Sequence, residues 1–448
     1  MEARDEDRSP AGIAAGLARR IHAGELVAGD RLPTVRQVAV DLGVSPATVS
    51  AAWQALVGAG LVVTRGRAGT FVLGQRSGWL PPRYRDLAGP AGSYRLDLSS
   101  GTPDPQLLPS LRPALARLAA RDLTGAIAGT GSYVDPPVLP ALERQLRATW
   151  PFSPGALTVV DGALDAIGRT LEEVAGFGAR VVVENPCFPP LLDLLDHLGL
   201  QHVPVALDAA GIRPDELGAA LATSPAALVL QPRAHNPTGV SMTRARATEL
   251  AEVLRAHPAG RDVVVVEDDH SGAIATTREV SLGSHLPGQV VHVRGFSKSH
   301  GPELRIAAVG GPARLIERLV ARRMLGPGWT SRMLQSVLLD LLTDADAVAA
   351  VSEARRLYYA RQRHVVREMV SLGVPVRAGD GINLWVPVAD EEAALALLAA
   401  HGVLVARGAP FASGPSGAAS LAHVRATVGL VRGDFEDVAR LLAAAARA

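Results

Sequence analysis

The chain has 448 residues, too many for one compact domain and suited to two or three. Its formal net charge is +1 and 48% of its residues are hydrophobic. Large cores are therefore possible, while no global basic field advertises nucleic acid, so any DNA contact has to be local. The single cysteine, Cys187, excludes an intramolecular disulfide and fits a reducing cytoplasm. The polar N-terminus has no apolar signal segment and no apolar run reaches the ~18 residues that span a bilayer, so a soluble cytoplasmic protein is expected.

Residues 9–74 carry dense helical patterning with short turns. A first helix is expected over Ala11–His22. Thr34 is placed to cap a second helix running through Asp41, and Gly43 ends it. Ser45 then caps a third helix whose first residue is Pro46, where the missing N–H costs nothing. Val49, Ala52 and Leu56 give that helix one apolar face. Leu61–Thr64, a turn through Gly66 and Gly69, and Thr70–Leu73 read as a hairpin. Helix, turn, helix and wing is a DNA-binding arrangement.

The run "GDRLPTVRQVAVDLGVSPATVSAAWQALVGAGLVVTRGRAGTFV" resembles the GntR-family winged helix over about 65 residues. The resemblance implies double-stranded DNA as a partner. It places Arg36 on phosphate, Ser45, Thr48 and Ser50 at the groove-facing start of the recognition helix, and Arg65 and Arg67 of the wing near the backbone or minor groove. Pro46 stands where the family often has Arg, which leaves the recognition helix without a guanine-gripping cation.

Residues 75–95 contain Gly78, Pro81, Pro82, Gly89, Pro90 and Gly92 and read as a linker. From Leu96 to about residue 345, apolar runs alternate with helical stretches. These runs are Leu157–Val160, Val181–Val183, Ala227–Leu230, Val263–Val266, Val290–Val293 and Ile306–Val309. Runs so apolar suit strands buried on both faces, so a parallel α/β sheet covered by helices is expected. From 346 to 448 a helix over Glu353–Ser371 precedes strands near Ile382–Val388, Val403–Ala406 and His423–Val428 and a last helix from Phe435, a smaller α+β lobe.

Lys298 is the only lysine among 45 basic residues. Arginine serves wherever a positive charge suffices, but a Schiff base needs an amine that can lose its proton and attack a carbonyl, which guanidinium cannot do. The surrounding "GFSKSHGPELRIAAVG" resembles the lysine signature of fold-type I aminotransferases. By that resemblance Lys298 forms an aldimine with pyridoxal 5′-phosphate (PLP), and Ser297 and Arg305 serve the phosphate. Gly295 replaces the usual serine. In "VVVVEDDHSG", Asp268 corresponds to the partner of the pyridine nitrogen, and His270 stands where the family has the tyrosine that donates to the phenolic oxygen. In "QPRAHNPTG", Asn236 corresponds to the asparagine on that oxygen. In "VVENPCFPP", Phe188 takes the place of the stacking tyrosine. In "TVVDGALDAIGRT", the backbone of Ala163 and Leu164 corresponds to the phosphate cradle at a helix N-terminus. Gly101 in "GTPD" and Tyr133 in "GSYVDPP" resemble substrate-side segments, Tyr133 facing a partner subunit's cofactor. Arg425 in "LAHVRATVGL" corresponds to the arginine that grips an α-carboxylate.

Taken together, the chain resembles the MocR-type branch of the GntR family, a winged helix joined to a fold-type I aminotransferase-like domain. The resemblance implies a homodimeric, PLP-dependent transcription regulator. It would sense a small amine or amino acid by transaldimination at Lys298, with catalysis limited at most to that exchange or a slow half-transamination. Two alternatives stand beside it: a working aminotransferase with an autoregulatory winged helix, and a regulator that senses PLP itself. No metal is implied.

Overall fold

The computed structural model describes residues 8–22, 25–27, 29–58, 61–72, 80–87, 94–120, 132–414 and 422–448. Its N-terminal module consists of α1 (Pro10–His22), α2 (Val35–Leu42), α3 (Pro46–Gly58), β1 (Val62–Thr64) and β2 (Thr70–Val72). Thr34 caps α2 by accepting from the Gln37 N–H at 3.3 Å, and Gly43 ends it in the left-handed region at φ 64°. Ser45 caps α3, accepting from the Thr48 N–H at 3.1 Å. Val49, Ala52 and Leu56 are fully buried with Trp53, Leu32 and Val72. The wing pairs β1 with β2 antiparallel, Val62 opposite Val72. Strand β1 is shorter by Leu61 than the sequence pattern suggests, and Leu73 lies outside the described residues. Phe177 of the following domain packs against this core from outside.

The segment read as a linker holds a docked helix, α4 (Pro82–Leu87), begun by a proline where that residue fits. Of the residues that suggested a linker, Gly78, Gly89, Pro90 and Gly92 lie outside the described residues. Next comes β3 (Leu96–Leu98), followed by α5 (Arg112–Ala120) and α6 (Pro140–Ala148).

The large lobe runs through β4 (Ala156–Val160), α7 (Ala163–Val174), β5 (Arg180–Asn185), α8 (Pro189–His197), β6 (Gln201–Asp208), β7 (Gly211–Ile212), α9 (Pro214–Leu221), β8 (Ala227–Leu230), α10 (Arg244–Ala256), β9 (Val264–Asp269), β10 (Val290–Gly295) and β11 (Ala307–Gly311). The strand order is β4-β11-β10-β9-β8-β5-β6-β7. The expected parallel strands form the centre of this lobe, within a sheet that is mixed at its edges. Strands β10, β9, β8, β5 and β6 are parallel, but β11 runs antiparallel to both β10 and β4, and β7 antiparallel to β6. The reason is the connection: Phe296–Ile306 joins β10 to β11 without a crossover α-helix, and a chain that returns directly can only pair antiparallel. That return loop carries Lys298 and Arg305.

Helices α11 (Ala313–Met324), α12 (Arg332–Thr343) and α13 (Ala345–Ser371) lead to the small lobe. Asp344 caps α13 through the Asp346 and Ala347 N–H groups, so this helix starts earlier than the expected Glu353. The lobe continues with β12 (Leu384–Pro387), α14 (Glu391–Ala400), β13 (Val403–Arg407), β14 (His423–Ala426) and α15 (Phe435–Ala445). Its sheet has the order β12-β14-β13-β3. Residues 96–98 thus belong to the small lobe, paired parallel with β13, rather than to the large lobe where the sequence boundary put them. Each lobe has its own apolar core, and the cleft between them is where the candidate residues meet.

Candidate cofactor and effector site

Strand β9 delivers Glu267, Asp268 and Asp269 in succession, all buried. Alternation sends neighbouring side chains to opposite faces. Asp268 Oδ2 accepts from Gln231 Nε2 at 2.8 Å, while Oδ1, also buried, has no hydrogen-bond partner among the described residues. Burial pushes this carboxyl up to about 6 against the pull of the Gln231 bond, and the nearby Asp269 charge adds to the rise. Asp269 answers to Arg233, bound at 2.7 and 2.6 Å; burial opposes ionisation, but that guanidinium outweighs it and holds the carboxyl near 2. Asp269, Glu279 and His292 bring ligand atoms within 4.8 Å of one another. Cations already fill that neighbourhood: Arg233 and Arg294 bind its carboxylates, and His292 is raised to about 9 despite burial by bonds to Glu267 and Glu279.

Lys298, on the β10–β11 loop, donates from Nζ to the carbonyl of Gly101 at 2.5 Å. Desolvation, then the charge of Arg425, lower its pKa to about 8, against a raising influence of Asp268. An amine near 8 is neutral often enough at physiological pH to attack a carbonyl. Gly101 adopts φ 63°, and a Cβ on it would stand 3.0 Å from Arg425 Nη1, so only glycine brings the carbonyl to the lysine and the chain against the arginine.

Arg425 is buried on β14. It donates to the Ser99 carbonyl and, at 3.3 Å, to Asn236 Oδ1; its Cζ lies 5.4 Å from the centre of the Phe411 ring, and its Nε has no hydrogen-bond partner among the described residues. Burial lowers its pKa to about 10, so it stays cationic at neutral pH. Asn236 in turn donates its N–H to Gln231 Oε1 at 2.8 Å and accepts from Asn383 Nδ2 at 3.3 Å. One glutamine therefore ties Asp268 to Asn236, and Asn236 ties both to Arg425. Behind Gln231, whose N–H donates to Glu184, lie Glu184 and His235 at 3.4 Å. Burial pushes Glu184 well up and His235 down to about 3, so His235 is neutral at physiological pH and the two do not form an ion pair.

His270 is half-buried, and its Nε2 lies 3.1 Å from Ser271 Oγ. Desolvation, reinforced by Lys298, holds it near 4. It is neutral at physiological pH, although an unperturbed histidine titrates near neutrality.

The phosphate-side residues form a second group. Gly162 caps α7 at φ 112°, and a Cβ there would stand 2.6 Å from Arg305 Nη2. Arg305 is exposed and donates to the Asp161 carbonyl at 3.2 Å, so its guanidinium lies at the helix N-terminus formed by Ala163 and Leu164. Asp161 is itself fixed by Thr330 at 2.7 Å and by the buried Arg323 at 3.1 Å, and Arg323 also holds Asp165 at 2.8 Å. A helix N-terminus and a guanidinium on one open spot suit an anion. Ser297 adjoins Lys298 and is half-buried. Phe188 is the N-cap residue of α8 and packs on the large-lobe core.

The cleft thus joins Lys298, Gly101, Arg425, Asn236 and Asp268, with His270 beside them. Tyr133 stays apart: it is 83% exposed and leans on Trp329 with ring centres 5.8 Å apart. In the winged helix Arg36 and Ser45 are exposed, Thr48 and Ser50 are half-buried near the start of α3, and Arg65 is exposed with its guanidinium 5.3 Å over Phe71. The backbone of Arg67 lies in the turn of the wing; its side chain is outside what is described. Gln231, Arg323, Phe411 and Asn383 escaped the sequence reading, because glutamines, buried arginines and loop aromatics carry no local signature of their partners.

Residues 11–72 match the bacterial regulatory proteins of the gntR family, and residues 95–441 match the aminotransferase class I and II family. The chain belongs to the MocR-type branch of the GntR family. Like other MocR-type chains it joins a helix-turn-helix, which implies a DNA partner, to an aminotransferase class I and II domain, which indicates PLP as cofactor. It is 35% identical over 406 residues to the vitamin B6 salvage pathway transcriptional repressor PtsJ of Salmonella typhimurium, covering 89% of this chain and 90% of that one. It is 28% identical over 386 residues to the probable rhizopine catabolism regulatory protein MocR of Rhizobium meliloti, covering 78% and 74%. In fold the MocR-type chain is similar to the kynurenine aminotransferase of Pyrococcus horikoshii, with a TM-score of 0.69 at 21% identity over 79% of this chain and 91% of that one.

The residues present fit the cofactor. An unpartnered buried carboxylate oxygen on Asp268 suits a protonated ring nitrogen, Lys298 offers an amine of lowered pKa, and Gly162 with Arg305 leaves an open cationic cradle for a phosphate. Among the described residues no helix is long and apolar enough to cross a membrane.

Proposed function

We propose that this protein is a homodimeric, DNA-binding transcription regulator whose state is set by what occupies the Lys298 cleft: PLP, and on it a small carboxylated amine. The observation that carries the reading is the linked arrangement of Lys298, Gly101, Arg425, Asn236, Gln231 and Asp268 in one cleft, in a chain that begins with a winged helix. When bound, PLP supplies an aldehyde that condenses with primary amines and a ring that withdraws electrons. The chain does the rest. Lys298 would supply the amine that holds the group. Asp268 would pair with the ring nitrogen, Asn236 and the neutral His270 would serve the phenolic oxygen, and Phe188 would pack on the ring. Arg305, Ser297 and the Ala163 and Leu164 amides would hold the phosphate.

Arg425 uses Nη1 and Nη2 on the chain and leaves Nε free, so a carboxylate can take Nε together with an Nη in the planar two-point grip that guanidinium favours. Tyr133, exposed in one chain, would serve the site of a second copy. Arg36, Ser45, Thr48, Ser50, Arg65 and Arg67 carry the DNA contacts, with phosphate contacts positioning the module. Ligand control follows if the two arrangements of the modules differ in affinity for the ligand.

A second reading, that PLP itself is the signal, is favoured by the 35% identity to a vitamin B6 salvage repressor. The test is the visible spectrum of the purified protein with PLP, before and after borohydride reduction, with peptide mapping and operator binding in the same samples. A yellow protein whose adduct maps to Lys298 supports the cleft reading. Operator affinity that responds to PLP alone selects the second reading, and a response that needs a carboxylated amine selects the first. A colourless protein with no adduct overturns both.

A further inference from the structure

Among the described residues helix α4 is the first element after the winged helix, ten residues beyond Val72, a length that an extended chain can stretch to about 35 Å. Wherever α4 is anchored, the DNA-binding module is tethered within that radius. Its anchor is specific. Asp193 of α8 accepts the N–H groups of Arg83 and Tyr84 at 3.3 and 3.1 Å and the Arg83 Nη1 at 3.2 Å, and Asp196 accepts the same guanidinium nitrogen. At its other end Leu87 is buried in a small cluster with Phe411 and Ala406.

Phe411 is also a contact of the cleft. Its ring lies under the Arg425 guanidinium, and its carbonyl accepts the Cys187 N–H at 2.8 Å, one residue before Phe188. The helix leading out of the DNA-binding module therefore rests directly on the residue that supports the carboxylate-gripping arginine.

We propose that α4 is a latch between the two modules, fastened by Arg83 on Asp193 and Asp196 and loosened through Phe411 and Leu87 when a carboxylate takes Arg425. A carboxylate on Nε and an Nη of Arg425 pulls on a guanidinium that is also bound to Ser99 and Asn236, and draws it toward the ligand. The guanidinium then shifts on the Phe411 ring, and the Leu87 contact, a small apolar one, opens. The ion pairs of Arg83 make the docked position the resting one. This inference rests on the cleft reading above.

Hydrogen exchange of the Arg83 and Tyr84 amides in the full-length protein tests it, with PLP alone, PLP with saturating L-alanine, and PLP with methylamine, which lacks the carboxylate. L-alanine should speed exchange of both amides about tenfold over methylamine, the size expected when a charge-assisted anchor opens. Arg83→Ala and, as a second variant that leaves Asp193 in place and weakens only the Arg83 ion pairs, Asp196→Asn should loosen the docked helix, exchange both amides fast in every sample and lose the ligand dependence of operator affinity. The Lys298 adduct should still form in both. The adduct is followed by absorbance throughout. Its absence in the wild type sinks the cleft reading and the latch with it. An adduct accompanied by unchanged or slower amide exchange overturns the latch alone, as does full ligand-dependent operator binding in both variants.

Discussion

Gln231 donates to Asp268 Oδ2 at 2.8 Å and thereby orients a buried carboxylate whose second oxygen has no partner. The same glutamine accepts the Asn236 N–H, so a single side chain sets the two ends of the ring site. Gln231→Leu leaves the Asn236 N–H without its acceptor and Asp268 without its donor. Unfolding free energy should fall by about 2–4 kcal/mol, since each buried group left unsatisfied costs roughly 1–3 kcal/mol. PLP affinity should fall with it. Denaturant melts and a PLP titration check both; a Leu variant as stable and as tight as the wild type removes Gln231 from the site.

Asp268 makes the protein without cofactor less stable as pH rises. Burial raises the folded carboxyl to about 6 from an ordinary 3.8. Below about pH 4 both folded and unfolded forms are protonated and nothing is lost. Between pH 4 and 6 the unfolded chain ionises first, so stability falls. Above pH 6 the full cost stands, about 3 kcal/mol for a shift of this size. Asp268→Asn should therefore stabilise the cofactor-free protein at pH 7.5, leave it unchanged near pH 4, and weaken PLP binding at both. Melting temperature against pH, with and without PLP, shows whether the sign is right.

Lys298 should react with PLP at lower pH than an ordinary lysine. With its pKa near 8, roughly a tenth of the amine is neutral at pH 7, against about three parts in ten thousand at a pKa of 10.5. The rate of yellow-adduct formation should rise through a midpoint near pH 8. Removing the neighbouring cation by Arg425→Gln should move that midpoint upward. A midpoint that stays put in the variant would show that burial alone sets it. Lys298→Arg should give no adduct at any pH.

Arg425→Gln also tests the ligand grip. A two-point bond between charged groups contributes about 2–3 kcal/mol, so the affinity for L-alanine on the PLP-loaded protein should fall roughly 30- to 150-fold. Methylamine, with no carboxylate, should be affected little. Spectral titrations with the two amines separate a lost carboxylate contact from a damaged cleft.

In the winged helix, Arg36→Ala and Arg65→Ala should each weaken DNA binding to a similar extent on every sequence and reduce the slope of log K against log salt by about one. Ser45→Ala removes the α3 cap and should cost about 1 kcal/mol of stability. Salt-dependent binding isotherms and thermal melts distinguish the two kinds of loss.

The winged helix was legible almost to the residue, because Thr34, Gly43, Ser45 and Pro46 are local signals that act on their own backbone. The apolar runs of the sheet were legible for the same reason, but the direction of β11 was not: the runs of β10 and β11 look alike, and only the short return between them reverses the strand. The turn to Pro82 and Leu87 read as a linker because a six-residue helix has too little pattern to stand out. It is held by Asp193, Asp196 and Phe411, more than a hundred residues away.

By itself the sequence determined the types and order of the chemical groups: one lysine, an Asp on a buried strand, an Asn–Pro turn, an arginine near the end, and a DNA-binding module in front. Those signals are local in the chain, or lie in the choice of a residue no other could replace. Tertiary structure alone decided how the groups act. Burial and the Arg425 charge lower Lys298, burial raises Asp268 and keeps His270 neutral, and Gln231, Arg323 and Phe411 acquire their tasks only from partners brought close by folding. Desolvation and contact depend on distance in space, and spacing along the chain does not encode that distance.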